Sequence, residues 1–151
     1  MRKAARAIII NKDQMLFLHR NKFGNEYDIL IGGGIEMGEN PEQTLLREIQ
    51  EESGVEVGQL KLVFIEQAPD PYGLQYIYIC QYLSGEPKLD VNSTEYKINQ
   101  MGVNKYQPVW RNIKDLDKLT IRSPALKDAI IDGINKGFPD QPIDITNYRR
   151  E

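Results

Sequence analysis

Residues 73–83 set the strongest constraint on the fold. Leu74, Tyr76, Tyr78, Cys80 and Tyr82 alternate with Gln75, Ile77, Ile79 and Gln81, the period of two that a strand requires. Both faces carry apolar side chains, so the sheet holding this strand is expected to be covered on each side. A second long strand, about 57–67, precedes it across the breaker Pro69-Asp70-Pro71. Residues 4–10 and 14–19 read as two further strands joined by the polar turn Asn11-Lys12-Asp13. Residues 20–28 read as a loop, and Ile29-Leu30-Ile31 as a short strand entering Gly32-Gly33-Gly34. Residues 84–105 form a long polar loop, 107–111 a short strand and 113–119 a short helix. Ser123-Pro124 opens a last helix that Gly137 closes, and the tail 139–151 is expected to be loosely ordered. Strands, a helix, strands and a helix make an α/β or α+β layered architecture, and 151 residues suit a single domain.

Composition narrows the chemistry. One cysteine, Cys80, excludes an internal disulfide framework and a cysteine-rich zinc site, and one histidine, His19, argues against a His-rich metal site. The formal charge is −3, so no bulk basic field attracts nucleic acid, and long nucleic acid is not the expected partner. A polyphosphate ligand would then need a metal to offset its repulsion. The apolar run after Met1-Arg2-Lys3 ends at Asn11, too soon for a signal peptide, and no stretch approaches the ~20 apolar residues of a membrane span. A cytoplasmic protein without a membrane partner is expected, and a homodimer is a reasonable default.

The segment 32–55 carries the chemistry. Three successive glycines permit positive φ and close backbone approach at an entropic cost. Asn40-Pro41-Glu42-Gln43 is a strong helix start: an N-cap asparagine, proline in the first position and a glutamine that completes a capping box. The helix is expected to run to about Ser53, with Gly54 just beyond it. At about 100° per residue, Glu51 and Glu52 lie roughly −60° and +40° from Glu48, so three carboxylates share one face. Like charges four apart destabilise a helix by about 0.2–0.5 kcal/mol per pair, and the C-terminal half of the helix dipole favours cations. A helix built only for stability would not place them there. Hard oxygen ligands on a rigid element suit Mg²⁺ or Mn²⁺.

Gly33, Glu39, Arg47, Glu48, Ile49, Glu51, Glu52, Gly54 and Val55 occupy, in this spacing, every fixed position of one signature. On these residues the chain resembles the Nudix hydrolase family (MutT-like). The resemblance implies an α/β/α sandwich with a mixed β-sheet. It also implies metal-dependent hydrolysis of a phosphoanhydride in a nucleoside diphosphate linked to another moiety: a nucleoside triphosphate, nucleotide sugar, ADP-ribose or dinucleoside polyphosphate. By position, Glu51 and Glu52 resemble metal ligands, joined by the Gly32 carbonyl. Glu48 resembles a ligand or the general base, Arg47 the residue that orients it, and Glu39 a brace between loop and helix. Gly33 and Gly54 are structural. Ile31 stands where relatives often have proline, which removes no chemical group.

Outside this segment, Glu95 is the expected further carboxylate, because it lies mid-loop with room to fold back. Arg6, Arg20 and Lys22 are candidate phosphate contacts, and Tyr27 and Tyr72 candidate stacking partners for a base. Tyr76, Tyr78, Tyr82 and Trp110 are expected to serve the core or an interface. Cys80 reads as a small hydrophobe. Two readings compete: a catalytically silent nucleotide-binding regulator of the same fold, disfavoured by the intact carboxylate set, and an RNA cap or 5′-end pyrophosphohydrolase, disfavoured by the charge of −3 and the absence of a basic stripe.

Overall fold

The computed structural model describes residues 2–150. Its strands are β1 (Lys3–Asn11), β2 (Gln14–Lys22), β3 (Asn25–Ile29), β4 (Ile31–Gly34), β5 (Glu56–Ala68), β6 (Gly73–Ser84), β7 (Asn104–Asn112) and β8 (Ile143–Asp144). The helices are α1 (Pro41–Glu52), α2 (Thr94–Asn99) and α3 (Pro124–Lys136), with a 3-10 turn over Ile113–Lys118. The strands form one mixed sheet ordered β3-β2-β1-β6-β5-β8, with β4 also on β1 and β7 also on β2. β1 runs parallel to β6 through eight paired residues, Lys3 to Ile10.

The alternation in β1 sends neighbouring side chains to opposite layers. Ala5, Ala7 and Ile9 pack with Leu45 and Ile49 of α1, whereas Ile8 packs with Leu126, Ala129 and Ile130 of α3. The sheet is therefore covered on both faces, an α/β/α sandwich. The small Ala5 and Ala7, both fully buried, let α1 lie close to the strand.

β1 and β2 touch only at their shared turn, through Ile10–Met15 and Asn11–Gln14. Beyond it they diverge, and β3 and β4, interrupted at Leu30, fill the gap: β3 pairs with β2 and β4 with β1. Residues 25–29 are thus a strand and not the expected loop. Their sequence is polar and lacks alternation, but β2 supplies the partner, and buried Asp28 is held by His19 Nδ1 at 2.7 Å and Arg111 Nε at 3.0 Å.

Two further expectations are corrected. The long segment 84–105 contains α2, capped by the Ser93 hydroxyl, which accepts from Tyr96 N. The tail is anchored: Ile145 is fully buried, its amide donates to Ile65 O, and the Arg150 guanidinium pairs with Asp117 and Asp128.

Candidate active site

The capping box of α1 forms as its sequence dictates. Asn40 Oδ1 accepts from Gln43 N and Gln43 Oε1 from Asn40 N, both at 2.9 Å. Fixing the first turn fixes the rotation of the whole helix, and hence where its carboxylates point. Leu45 and Ile49 pin the adjoining stripe to the sheet. Glu52 is then buried at 4 % exposure and meets the glycine turn, where Gly32 N donates to Glu52 Oε1 at 2.8 Å.

The glycines make this approach physically available. Gly32 has φ +145°, and a Cβ there would lie 2.0 Å from the Ala5 carbonyl oxygen. A Cβ on Gly33 would lie 2.7 Å from Glu48 Oε1. Gly32 thus lets β4 pair with β1, and Gly33 leaves the space that Glu48 occupies.

Arg47 organises the other side. Its Nε and Nη2 donate to Glu39 Oε2 and Oε1 at 2.9 and 3.1 Å, and its Nη1 donates to Glu48 Oε1 at 2.9 Å. The Arg47 fork, aided by the Thr44 hydroxyl, lowers the Glu39 carboxyl to about 2. Glu51 lies 3.6 Å from the same Nη1.

Glu48, Glu52 and Glu95 each offer an oxygen within 4.8 Å of the others. Glu95, expected mid-loop, lies in the first turn of α2, and it reaches the site because the segment before that helix is tied to the end of α1: Lys88 N donates to Ser53 O and Asp90 N to Glu51 O, both at 2.9 Å. Glu51 is not in this trio and lies on the Arg47 side. Burial, with the neighbouring carboxylates adding to it, pushes the carboxyls of Glu48, Glu52 and Glu95 upward, Glu52 most clearly. Glu95 Oε1 is buried without a hydrogen-bond partner among the described residues. An all-oxygen donor set with mutual repulsion and an orphaned oxygen fits a hard divalent cation.

The arginines and tyrosines are placed as follows. Arg6 Nη1 donates to Gly32 O at 3.1 Å and its Nε to Gln75 Oε1 at 3.1 Å. The Gly32 carbonyl thereby uses one lone pair and keeps the other. Arg20 is buried at 8 % exposure, lies 3.7 Å over the Tyr106 ring and bonds Asn104. Tyr27, expected to stack on a base, is itself buried, with Arg122 over its ring at 4.7 Å. Tyr72 lies under the same guanidinium at 4.3 Å. Arg122 bears no motif in the sequence, and the register that brings it to two tyrosines is a tertiary property. Cys80 is buried and its thiol is pushed up to about 12, in keeping with a packing role.

A cavity of about 690 Å³ opens on the α3 side of the sheet. Its wall includes Arg6, Leu30, Glu66, Tyr72, Ile77 and Arg122. Arg6 of β1 lines this wall and also donates to Gly32, whose amide holds Glu52, so cavity and carboxylates share a partition.

The NUDIX domain family model matches residues 1–128. This chain belongs to the Nudix hydrolase family. Among curated Nudix relatives, the NAD-capped RNA hydrolase NudC of Pectobacterium carotovorum is 37 % identical over 84 residues, covering 56 % of this chain and 32 % of the relative. The NudC of Escherichia coli is 33 % identical over 78 residues, covering 52 % of this chain and 30 % of the relative. The chain thus matches about a third of the length of these relatives. The Nudix fold is also shared with a MutT structure from Aliivibrio salmonicida and Vibrio cholerae work (TM-score 0.66, 21 % identity, 91 % of this chain and 98 % of that one). An ADP-ribose pyrophosphatase from Streptococcus suis aligns with TM-score 0.66 at 18 % identity, over 95 % of this chain and 98 % of that one. Among the described residues no helix is long and apolar enough to cross a membrane.

Proposed function

We propose that this Nudix chain is a Mg²⁺- or Mn²⁺-dependent pyrophosphohydrolase acting on a nucleoside diphosphate linked to another moiety. The observation that carries this reading is the convergence of Glu48, Glu52 and Glu95 beside a cavity with room for a nucleoside, with Arg6 between them. Glu48, Glu52 and Glu95 would hold the cation, with Glu51 and the free lone pair of the Gly32 carbonyl at the edge of the same site. When bound, the cation neutralises the diphosphate and makes a bound water more acidic.

The remaining work belongs to the chain. The Gly32 amide aims Glu52, and Arg47 aims Glu48, so neither carboxylate has to be ordered when substrate arrives. Glu48 is the candidate base for the attacking water, because Arg47 Nη1 fixes its carboxylate at the edge of the trio. Arg47 acts through Glu48 and is a positioning residue. The cavity receives the nucleoside, and Arg6 and Arg122 give its wall positive charge facing the phosphates.

The test is a panel of nucleoside triphosphates, nucleotide sugars, ADP-ribose, dinucleoside polyphosphates and NAD-capped RNA, each with Mg²⁺ and Mn²⁺. Metal-dependent release of a nucleoside monophosphate from at least one member supports the reading. Binding without turnover under every metal would favour a silent nucleotide-binding regulator instead.

A further inference from the structure

Glu66 has no part in the carboxylate cluster, yet it is one of the few charged side chains buried in this protein, at 6 % exposure. It sits near the end of β5, opposite Gln75 of β6, and lines the cavity. One oxygen, Oε2, accepts from the Ser123 hydroxyl. That hydroxyl oxygen also caps α3 by accepting from Leu126 N at 3.1 Å. The serine proton is therefore directed at Glu66, and Glu66 stands there as an acceptor. Ser123 donates to one oxygen, and Glu66 lines the cavity with Oε1 still able to accept. Gln75, the cross-strand neighbour, is already engaged by Arg6 Nε at 3.1 Å and the Tyr72 carbonyl at 2.7 Å. Burial pushes the Glu66 carboxyl upward, with Asp144 adding to it and Ser123 only partly opposing. An acceptor group on a cavity wall is free to take donors from a ligand.

The lining beside it is apolar, with Leu30, Ile77, Ile121 and Leu126, the setting for a flat heterocycle. An ionised carboxylate offers two acceptor oxygens and no donor. Among the common bases only guanine presents two adjacent donors, N1–H and the N2 amino group, on one edge. Adenine sets its N1 lone pair beside a single amino donor, and hypoxanthine offers N1–H alone. We propose that Glu66 reads the base, accepting from both guanine donors, and that the substrate is therefore a guanine nucleotide derivative.

This inference rests on the cavity receiving the nucleoside, but its test does not require turnover. Calorimetry without metal compares GMP, IMP and AMP binding to the full chain and to Glu66→Gln. A hydrogen bond to a charged group is worth about 1.5–3 kcal/mol, or roughly 10–150-fold. GMP is expected to bind at least about tenfold tighter than IMP, and AMP more weakly still. A glutamine offers one donor and one acceptor, the complement of adenine, so Glu66→Gln is expected to reverse the GMP/AMP order. Equal or tighter binding of AMP by the parent chain overturns the proposal, as does binding of none of the three. An unchanged GMP/AMP ratio in a folded Glu66→Gln also overturns it. The parent comparison stands even if the variant does not fold. Hydrolysis with equal kcat/KM on guanine and adenine derivatives would remove the base assignment and leave the hydrolase reading. GMP selectivity without any turnover would do the reverse.

Discussion

Arg47 holds both oxygens of Glu39, through Nε at 2.9 Å and Nη2 at 3.1 Å, and this grip leaves its Nη1 directed at Glu48. Glu39 lies in the loop before α1 and Arg47 in the middle of that helix, so the pair locks the glycine-to-helix connection. The planar fork matters here, because a lysine ammonium cannot bridge two oxygens of one carboxylate and still reach a second.

Arg47→Lys is accordingly expected to lower kcat about 100-fold, the scale of a misplacement of about 1 Å, with little change in KM. Steady-state kinetics on the best substrate of the panel check this. A KM effect with kcat preserved would move Arg47 from positioning to substrate binding.

The same pair has a pH signature. Glu39 in the folded chain titrates at about 2, below its ordinary 4.5. A depressed carboxyl stabilises the fold above the ordinary value, and this contribution is lost as pH falls from 4.5 towards 2. The Tm gap between the parent and Glu39→Gln is expected to be constant above about pH 5 and to close as the pH approaches that of the folded carboxyl. Melting curves across this range test it, and a gap that widens in acid would contradict the ion pair.

The adjacent glycines separate stability from activity. In Gly32→Ala the new methyl meets backbone, the Ala5 carbonyl at 2.0 Å. A loss of about 3 kcal/mol or more is expected, a Tm fall of about 6–12 °C at 2–4 °C per kcal/mol. In Gly33→Ala it meets the flexible end of Glu48 at 2.7 Å. There a Tm change of a few degrees should accompany a turnover loss of about 100-fold. Parent-like turnover in Gly33→Ala would show that the Glu48 position is not critical.

Much of this was legible in local sequence, because caps and periodicity are local properties. Asn40 to Gln43 announced α1, and the spacing of Glu48, Glu51 and Glu52 announced a carboxylate face. The division of labour within that face was not legible: Glu51 and Glu52 differ in surroundings through Arg47 on one side and Gly32 on the other. Glu95 could be named as a candidate acid, but its arrival depends on two backbone bonds from the 84–105 segment to α1. Glu66 and Arg122 carried no spacing signal at all. The one available clue to Glu66 was a charged residue two positions after the apolar Phe64 in a strand with both faces covered.

The central claim, that Glu48, Glu52 and Glu95 together hold a divalent cation, is tested most directly by Mn²⁺ titration followed by electron paramagnetic resonance. The parent chain is expected to take up Mn²⁺, and Glu52→Gln and Glu95→Gln each to weaken that uptake about tenfold or more while keeping the parent's circular dichroism. Absence of Mn²⁺ uptake by the parent, or uptake unchanged in both variants, would contradict the account.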